Sequence, residues 1–357
     1  MPEEHGEQGR RTYLKKLGGM VGIGSIPSFD ILGMSSTTTI PIAMSGETVM
    51  HSEKVNKKWL DQTKQARNAL EETRERHKDQ FQKLSLSPIS DSIQGRRKMG
   101  IKMYVENNIN KVDLPDKVDG IKINIVDAEP LEPNAWPCHG AGLYYSLPGG
   151  GQVEDGTACC RVKDDSGTFY LLTAAHLFDA CSSNPGGDEA THAGNRIGYV
   201  NEWHTVHDWV GIKRDNDNDI YFNNKIFNGD GNREQVTGYL TYQAMVSWSS
   251  SQQTVYKYGC STGKTSGHIS DVSVYGGFDC VDMDGYGVEL SATTAGGDSG
   301  GPLYADMASG VYMIGVNSYR TGSNMGTICS NPSAWTVGGF GAYRLASSAG
   351  AGFTFAT

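Results

Sequence analysis

A serine hydroxyl is a poor nucleophile at neutral pH, so a chain that uses one for acyl transfer needs a base beside it and donors for the oxyanion. The run Gly296-Gly-Asp-Ser-Gly-Gly-Pro302 could provide the nucleophile and the donors together. Its glycines admit dihedrals that a side chain forbids. Such a turn can aim the backbone N–H groups of Gly297 and Ser299 at one point, where a tetrahedral intermediate would carry its negative charge. Ser299 is therefore the expected nucleophile, and Gly297 and Ser299 the expected oxyanion hole.

Imidazole is the side chain whose ordinary pKa suits the base. His176 ends the apolar run Leu171-Leu-Thr-Ala-Ala-His176, where small Ala174 and Ala175 let a strand end pack closely and present the ring. His139, His192, His204, His207 and His268 lie in polar, loop-like contexts and read as surface residues. A buried carboxylate must then fix the imidazole tautomer. Asp208 fits, since it opens the apolar strand Trp209-Val-Gly-Ile212, whereas Asp215, Asp217 and Asp219 belong to an Asn-rich solvated loop. That loop lacks the glycine and distal glutamate of an EF-hand, so no metal site is expected there. The spacing Gly297-x-Ser299-x-Gly301 also satisfies the nucleophile elbow of α/β-hydrolases. Those enzymes place the histidine after the serine, and no histidine follows His268, which excludes them.

Thr-Ala-Ala-His176, Asp208-Trp-Val and Gly-Asp-Ser299-Gly-Gly-Pro resemble the three catalytic blocks of the chymotrypsin-like serine proteases. Val255 to Ile269, rich in Gly and Thr, is similar to the hairpin that opens the second barrel in the secreted bacterial, streptogrisin and α-lytic branch. The resemblance covers about Gly149 to Ser318. It implies an all-β domain of two six-stranded antiparallel barrels with His176, Asp208 and Ser299 between them. It also implies a substrate-pairing strand at Gly-Val-Asn-Ser318, with Ser318 within reach of Asp208. Asp298 needs an internal cation in place of a buried amino terminus, and Lys257 stands where this branch usually has arginine. Thr293 occupies the position at which trypsin-like relatives carry an acid, so a preference for Lys or Arg is disfavoured. Ser318-Tyr319-Arg320 replaces the usual Ser-Gly-Gly of the pocket wall and could narrow it or admit an acidic side chain through Arg320. Cys159 or Cys160 with Cys181 would form the histidine-loop disulfide, and Cys260 with Cys280 is a weaker pairing.

The rest of the chain must position these residues. Lys plus Arg against Asp plus Glu is 20 against 19 over residues 1–137 but 11 against 21 over residues 138–357, and all seven cysteines lie in the second part. The sequence thus divides into an accessory segment and an acidic domain of short β-type runs separated by Gly, Asn and Asp. Arg10-Arg11-Thr-Tyr-Leu-Lys-Lys16 followed by a weakly apolar run resembles a twin-arginine export signal, taken as residues 1–45. Residues 46–137 read as a small α+β pro-region. They hold an amphipathic helix over about Glu53–Leu84, a turn-rich break at Ser85–Gly100, and strands at Ile101–Val105 and Ile121–Val126. Residues 138–357 form the protease-like domain.

Cysteines without paired Cys-x-x-Cys spacing suit an oxidising compartment better than zinc. An odd number leaves at least one thiol free or paired between chains. The expectation is a secreted, zymogen-derived serine endopeptidase without cofactor, acting as a monomer on protein or peptide substrates, with its own pro-region as intramolecular chaperone and inhibitor. The acidic domain argues against nucleic acid, and no stretch argues for a membrane after export. The alternative is a secreted protease-like binding protein without turnover.

Overall fold

Residues 36–106, 114–129, 131–133, 143–181, 183–229, 232–321 and 336–355 are described by a computed structural model. Residues 1–35 of the export-like segment, Cys138 and Cys329 lie outside them. The accessory segment begins with strands β1 (Thr37–Ser45) and β2 (Thr48–Asn56), then helix α1 (Lys57–His77). There follow β3 (Lys83–Ile93), β4 (Arg96–Val105), β5 (Lys117–Val118), β6 (Ile121–Asp127) and β7 (Leu131–Pro133). The helix is shorter than the periodicity predicts because Asn56 caps it, its Oδ1 accepting the N–H of Lys58 at 2.8 Å and of Trp59 at 3.3 Å. The expected turn-rich break is instead the β3–β4 hairpin. Its two-residue turn, Gln94 and Gly95, has φ of 50° and 81°, the left-handed pair that matches the strand twist.

The acidic domain continues with β8 (Ser146–Gly149), β9 (Gln152–Val153), β10 (Gly156–Thr157), β11 (Arg161–Lys163), β12 (Phe169–Thr173), β13 (Glu189–His192), β14 (Asn195–His204) and β15 (Trp209–Arg214). Of these, β11-β12-β15-β14-β13 form a five-stranded antiparallel sheet. Its inner face packs Leu171, Val210 and Ile212 with Leu147 and Phe178. The run ends in β16 (Tyr221–Phe227), β17 (Arg233–Leu240), helix α2 (Tyr242–Ser251), β18 (Thr254–Gly259), β19 (Gly263–Tyr275), β20 (Gly287–Leu290), β21 (Pro302–Met307), β22 (Gly310–Thr321) and β23 (Thr336–Gly341).

Antiparallel pairing runs β18-β19-β20-β23-β22-β21 and back to β18, closing a six-stranded barrel. This is the second of the two barrels expected from the sequence. The first is represented by the five-stranded sheet, which pairing among the described residues does not close into a ring. Helix α2 was not expected, because its Ser- and Gln-rich sequence carries little apolar periodicity. Thr241 caps it through Oγ1, and Ala244, Met245 and Val246 bury against the barrel side.

Residues 37–357 form one compact unit. Strand β1, inside the span read as export signal, pairs with β17, and β3 pairs with β19. Trp59, Leu70, Leu86 and Met103 of the accessory segment share one core with Val255, Val272, Leu290 and Ile314 of the barrel. A buried ion pair crosses the same boundary: Lys83 Nζ lies 2.7 Å from Glu289 Oε1, which also accepts the Tyr319 hydroxyl at 2.9 Å. Removing residues 37–133 would therefore expose a continuous apolar face and strip a buried carboxylate of its cation.

Candidate active site

Three segments far apart in sequence converge beside the barrel. Strand β12 ends in a short 3-10 turn, Ala175–Phe178, with Ala174 and Ala175 fully buried, and this turn presents the His176 ring. Asp208 precedes β15 in a left-handed conformation, φ 54°, which a non-glycine residue adopts at a cost. Its carboxylate is buried and does two things for His176. Oδ1 accepts the His176 backbone N–H at 2.8 Å and Oδ2 faces Nδ1 at 2.8 Å. Ser318 also donates its hydroxyl to Oδ2, so that side chain serves the carboxylate. On the other side of the ring, His176 Nε2 lies 2.8 Å from Ser299 Oγ. Asp208, His176 and Ser299 thus form one hydrogen-bonded line, with the Phe278 ring edge-on to the imidazole at 5.6 Å.

The loop around Ser299 is held from several directions. Gly297 and Gly300 have φ of 90° and 81°. A Cβ at Gly300 would come within 2.0 Å of Thr173 Oγ1 and 2.4 Å of the Thr157 carbonyl, so only glycine fits. Thr157 Oγ1 donates to the Gly297 carbonyl at 2.7 Å, and the Thr157 N–H donates to the Ser299 carbonyl at 2.7 Å. Asn317 Nδ2 donates to the Asp298 carbonyl at 2.7 Å, while the Gly300 N–H donates to the Asn317 carbonyl. Sequence reasoning missed both Thr157 and Asn317. Each is an ordinary polar residue on a strand, and only the contact with a distant loop gives it a task.

Asp298 and Lys257 are both fully buried and lie 2.5 Å apart, so the internal cation expected for Asp298 is in place. The carboxylate also accepts the N–H groups of Ser261, Thr262 and Ala295 and the hydroxyls of Thr262 and Thr294. Burial pulls the Lys257 ammonium below the usual lysine range, and the Asp298 carboxylate opposes that shift. A cation in the interior is tolerable because its charge and donors are answered there.

The remaining expected residues are distributed as follows. Thr293 is half-buried, its carbonyl accepting the Thr265 hydroxyl at 2.8 Å. Arg320, on β22, is buried and lies 3.5 Å from Glu132 of β7. The disulfide expectations need correction. Cys181 pairs with Cys280, 99 residues later, with Cα atoms 5.4 Å apart. Cys159 and Cys160 are free thiols, buried in one core with Tyr170 and Leu172, while Cys181 is taken by Cys280. Cys260 is disulfide-bonded, and not to Cys280. The Cys181–Cys280 bridge ties the chain following the His176 turn to the loop carrying Phe278, which flanks the same ring.

A closed barrel, a second antiparallel sheet, and the site formed by residues from both agree with the chymotrypsin-like arrangement expected from the sequence. No family model matches the chain, and no curated protein matches it. Among solved structures it is similar to a Nocardiopsis protease, at 19% identity and a TM-score of 0.43, covering 56% of this chain and 95% of that one. A chymotrypsin of Cellulomonas bogoriensis matches at 18% identity and a TM-score of 0.42, covering 58% and 97%. An alpha-lytic protease homolog, N4, matches at 19% and 0.42, covering 59% and 99%.

Proposed function

We propose that this protein is a serine endopeptidase that hydrolyses peptide bonds through an acyl-enzyme intermediate. The observation that carries the reading is the unbroken line from Asp208 Oδ2 through His176 to Ser299 Oγ, with 2.8 Å at each imidazole nitrogen. In the proposed reaction Ser299 Oγ attacks the scissile carbonyl as its proton passes to His176 Nε2. The carbonyl oxygen takes up negative charge, and the N–H groups of Gly297 and Ser299 are assigned to hold it. Imidazolium then protonates the leaving amine, and a water molecule, deprotonated by the same nitrogen, releases the acyl group. Asp208 keeps the Nδ1 proton in place throughout and stabilises the imidazolium.

The proposed substrates are proteins or peptides, with Thr293 offering no carboxylate to a basic side chain. Export directed by the Arg10-Arg11 segment that precedes β1, an extracellular site of action and action as a monomer belong to the same reading. So does the role of residues 46–137 as the chain's own folding partner and inhibitor, supported by the shared core and by β7 lying along β22. The two-step mechanism has its own test. With an activated ester, rapid mixing is expected to give a burst of one alcohol released per active site, followed by slower turnover. Turnover without a burst, at ester concentrations that saturate the rate, would contradict an accumulating acyl-enzyme.

A further inference from the structure

A cavity of about 450 Å³ opens between the first sheet and the chain that follows β23. One wall is the β11–β12 turn, and a second is the end of β14 and the turn into β15. The third runs from Ala349 to Phe353, a segment clipped to the first sheet by paired hydrogen bonds of 3.0 and 2.8 Å between Lys163 and Thr354. None of Ser299, His176, Thr293 and Ser318 lines this cavity, so it is separate from the triad cleft. Both sequence neighbours of Asp208, His207 and Trp209, do line it.

The volume suits a small ligand. Its deeper surface is aromatic: Trp209 and Phe353, 6% and 3% exposed, meet edge to face at 5.5 Å. His207 is stacked between His204 at 3.9 Å and Phe340 at 4.4 Å. Trp203 adds a ring that is 39% exposed. The face of an indole attracts a cation, and the guanidinium plane stacks on it.

Charge points the same way. Three carboxylates, Asp164, Asp165 and Glu202, line the cavity against one guanidinium, Arg344. Arg344 is engaged elsewhere, lying 4.5 Å over the Tyr286 ring and donating from Nη1 to Ser347 Oγ at 3.4 Å. Burial, aided by the Arg344 charge, holds His204 and His207 below the usual histidine range, His207 at about 4, so neither adds a positive charge at neutral pH. Burial works against the Asp164 charge, but hydrogen bonds from Ser166, Thr168 and Tyr170 outweigh it and hold the carboxyl below the usual aspartate range. Asp165 and Glu202 enter no ion pair among the described residues.

We propose that this cavity binds a guanidinium or ammonium group carried on an apolar stem, the chemistry of a basic side chain. The head sits at the carboxylates of Asp164, Asp165 and Glu202, and the stem lies against Trp203 and Trp209. The site does not depend on the endopeptidase reading. Its occupant lies against the residues on both sides of Asp208, whose φ of 54° is held by its surroundings.

The test is isothermal titration of the full chain carrying Ser299→Ala, so that no heat of turnover is read. The ligands are acetylarginine amide and acetylcitrulline amide, which share a shape and differ in charge. The arginine compound is expected to bind about tenfold more tightly. Asp165 and Glu202 are exposed, so Asp165→Asn with Glu202→Gln spares the fold and is expected to weaken that binding about fivefold. Ala349→Trp fills the cavity without changing its charge and is expected to abolish it, with circular dichroism confirming that each variant is folded. Butylguanidinium separates the sources of such a group: affinity equal to that of acetylarginine amide assigns the site to a free organic cation, and weaker affinity assigns it to a basic residue of a polypeptide. No binding at about 10 mM, equal affinities for the arginine and citrulline compounds, or binding that the carboxylate or Ala349→Trp variants leave intact would overturn the proposal.

Discussion

Asp208→Asn is expected to lower kcat for peptide hydrolysis by about 10⁴ while leaving the fold intact. Two of the groups around this carboxylate, His176 Nδ1 and the Ser318 hydroxyl, converge on Oδ2, and the His176 backbone N–H takes Oδ1. An amide offers one accepting oxygen where the carboxylate offers two. Whichever way the amide turns, a donor meets a donor. If its nitrogen faces the ring, Nδ1 becomes the acceptor, the proton moves to Nε2, and the lone pair that should take the Ser299 proton is lost. His176→Ala removes the base altogether, with an expected loss of about 10⁶ in kcat. Rates for the two variants against one peptide, with circular dichroism to confirm folding, check both values. A loss of only a few fold in either would mean that the hydrogen-bonded line is not the route of proton transfer.

Lys257→Met is expected to destabilise the protein by about 3–5 kcal/mol, because it leaves the Asp298 charge buried with hydrogen bonds but no cation. Methionine fills most of the lysine stem, so a cavity contributes little. The effect should reach the active site, since the Asp298 carboxylate ties Ala295 to Ser261 and Thr262 and its backbone adjoins Ser299. Lys257→Met with Asp298→Asn removes the charge along with its partner and should recover a large part of the stability. Denaturant unfolding of the two single variants and the double variant measures the coupling. Additive losses would show that the pair is not what holds the loop. Lys257→Arg is the conservative control, keeping a cation in a larger and differently shaped side chain.

Ser299, His176 and Asp208 were legible in the sequence because each carries a local signal: a glycine-rich turn, a strand ending in two alanines, an acid opening an apolar strand. The strands at 169–173, 209–214, 254–259 and 310–321 were legible for a similar reason, since alternation is a local property. The cation for Asp298 followed from the resemblance. What could not be read depends on contacts between distant segments. Thr157 and Asn317 brace the serine loop across 140 and 19 residues. The Cys181–Cys280 bridge spans 99 residues, and no spacing rule specifies it. With Cys181 taken by that distant partner, Cys159 and Cys160 remain buried free thiols. The β3–β4 hairpin was hidden by serines and Pro88, which suggested a break although Leu84 and Leu86 alternate into the core. The boundary drawn at residue 45 fell inside the main sheet, because the strand character of Thr37–Ser45 is completed by its partner β17.

The central claim is that Ser299 is a nucleophile activated by His176. Its most direct test is labelling of the folded chain with a fluorophosphonate, followed by peptide mapping, in parallel with Ser299→Ala and His176→Ala. One phosphonylated peptide containing Ser299 is expected, with no label in Ser299→Ala and labelling slowed by orders of magnitude in His176→Ala. Folded protein that takes up no label, or takes it up equally well without Ser299, would contradict it.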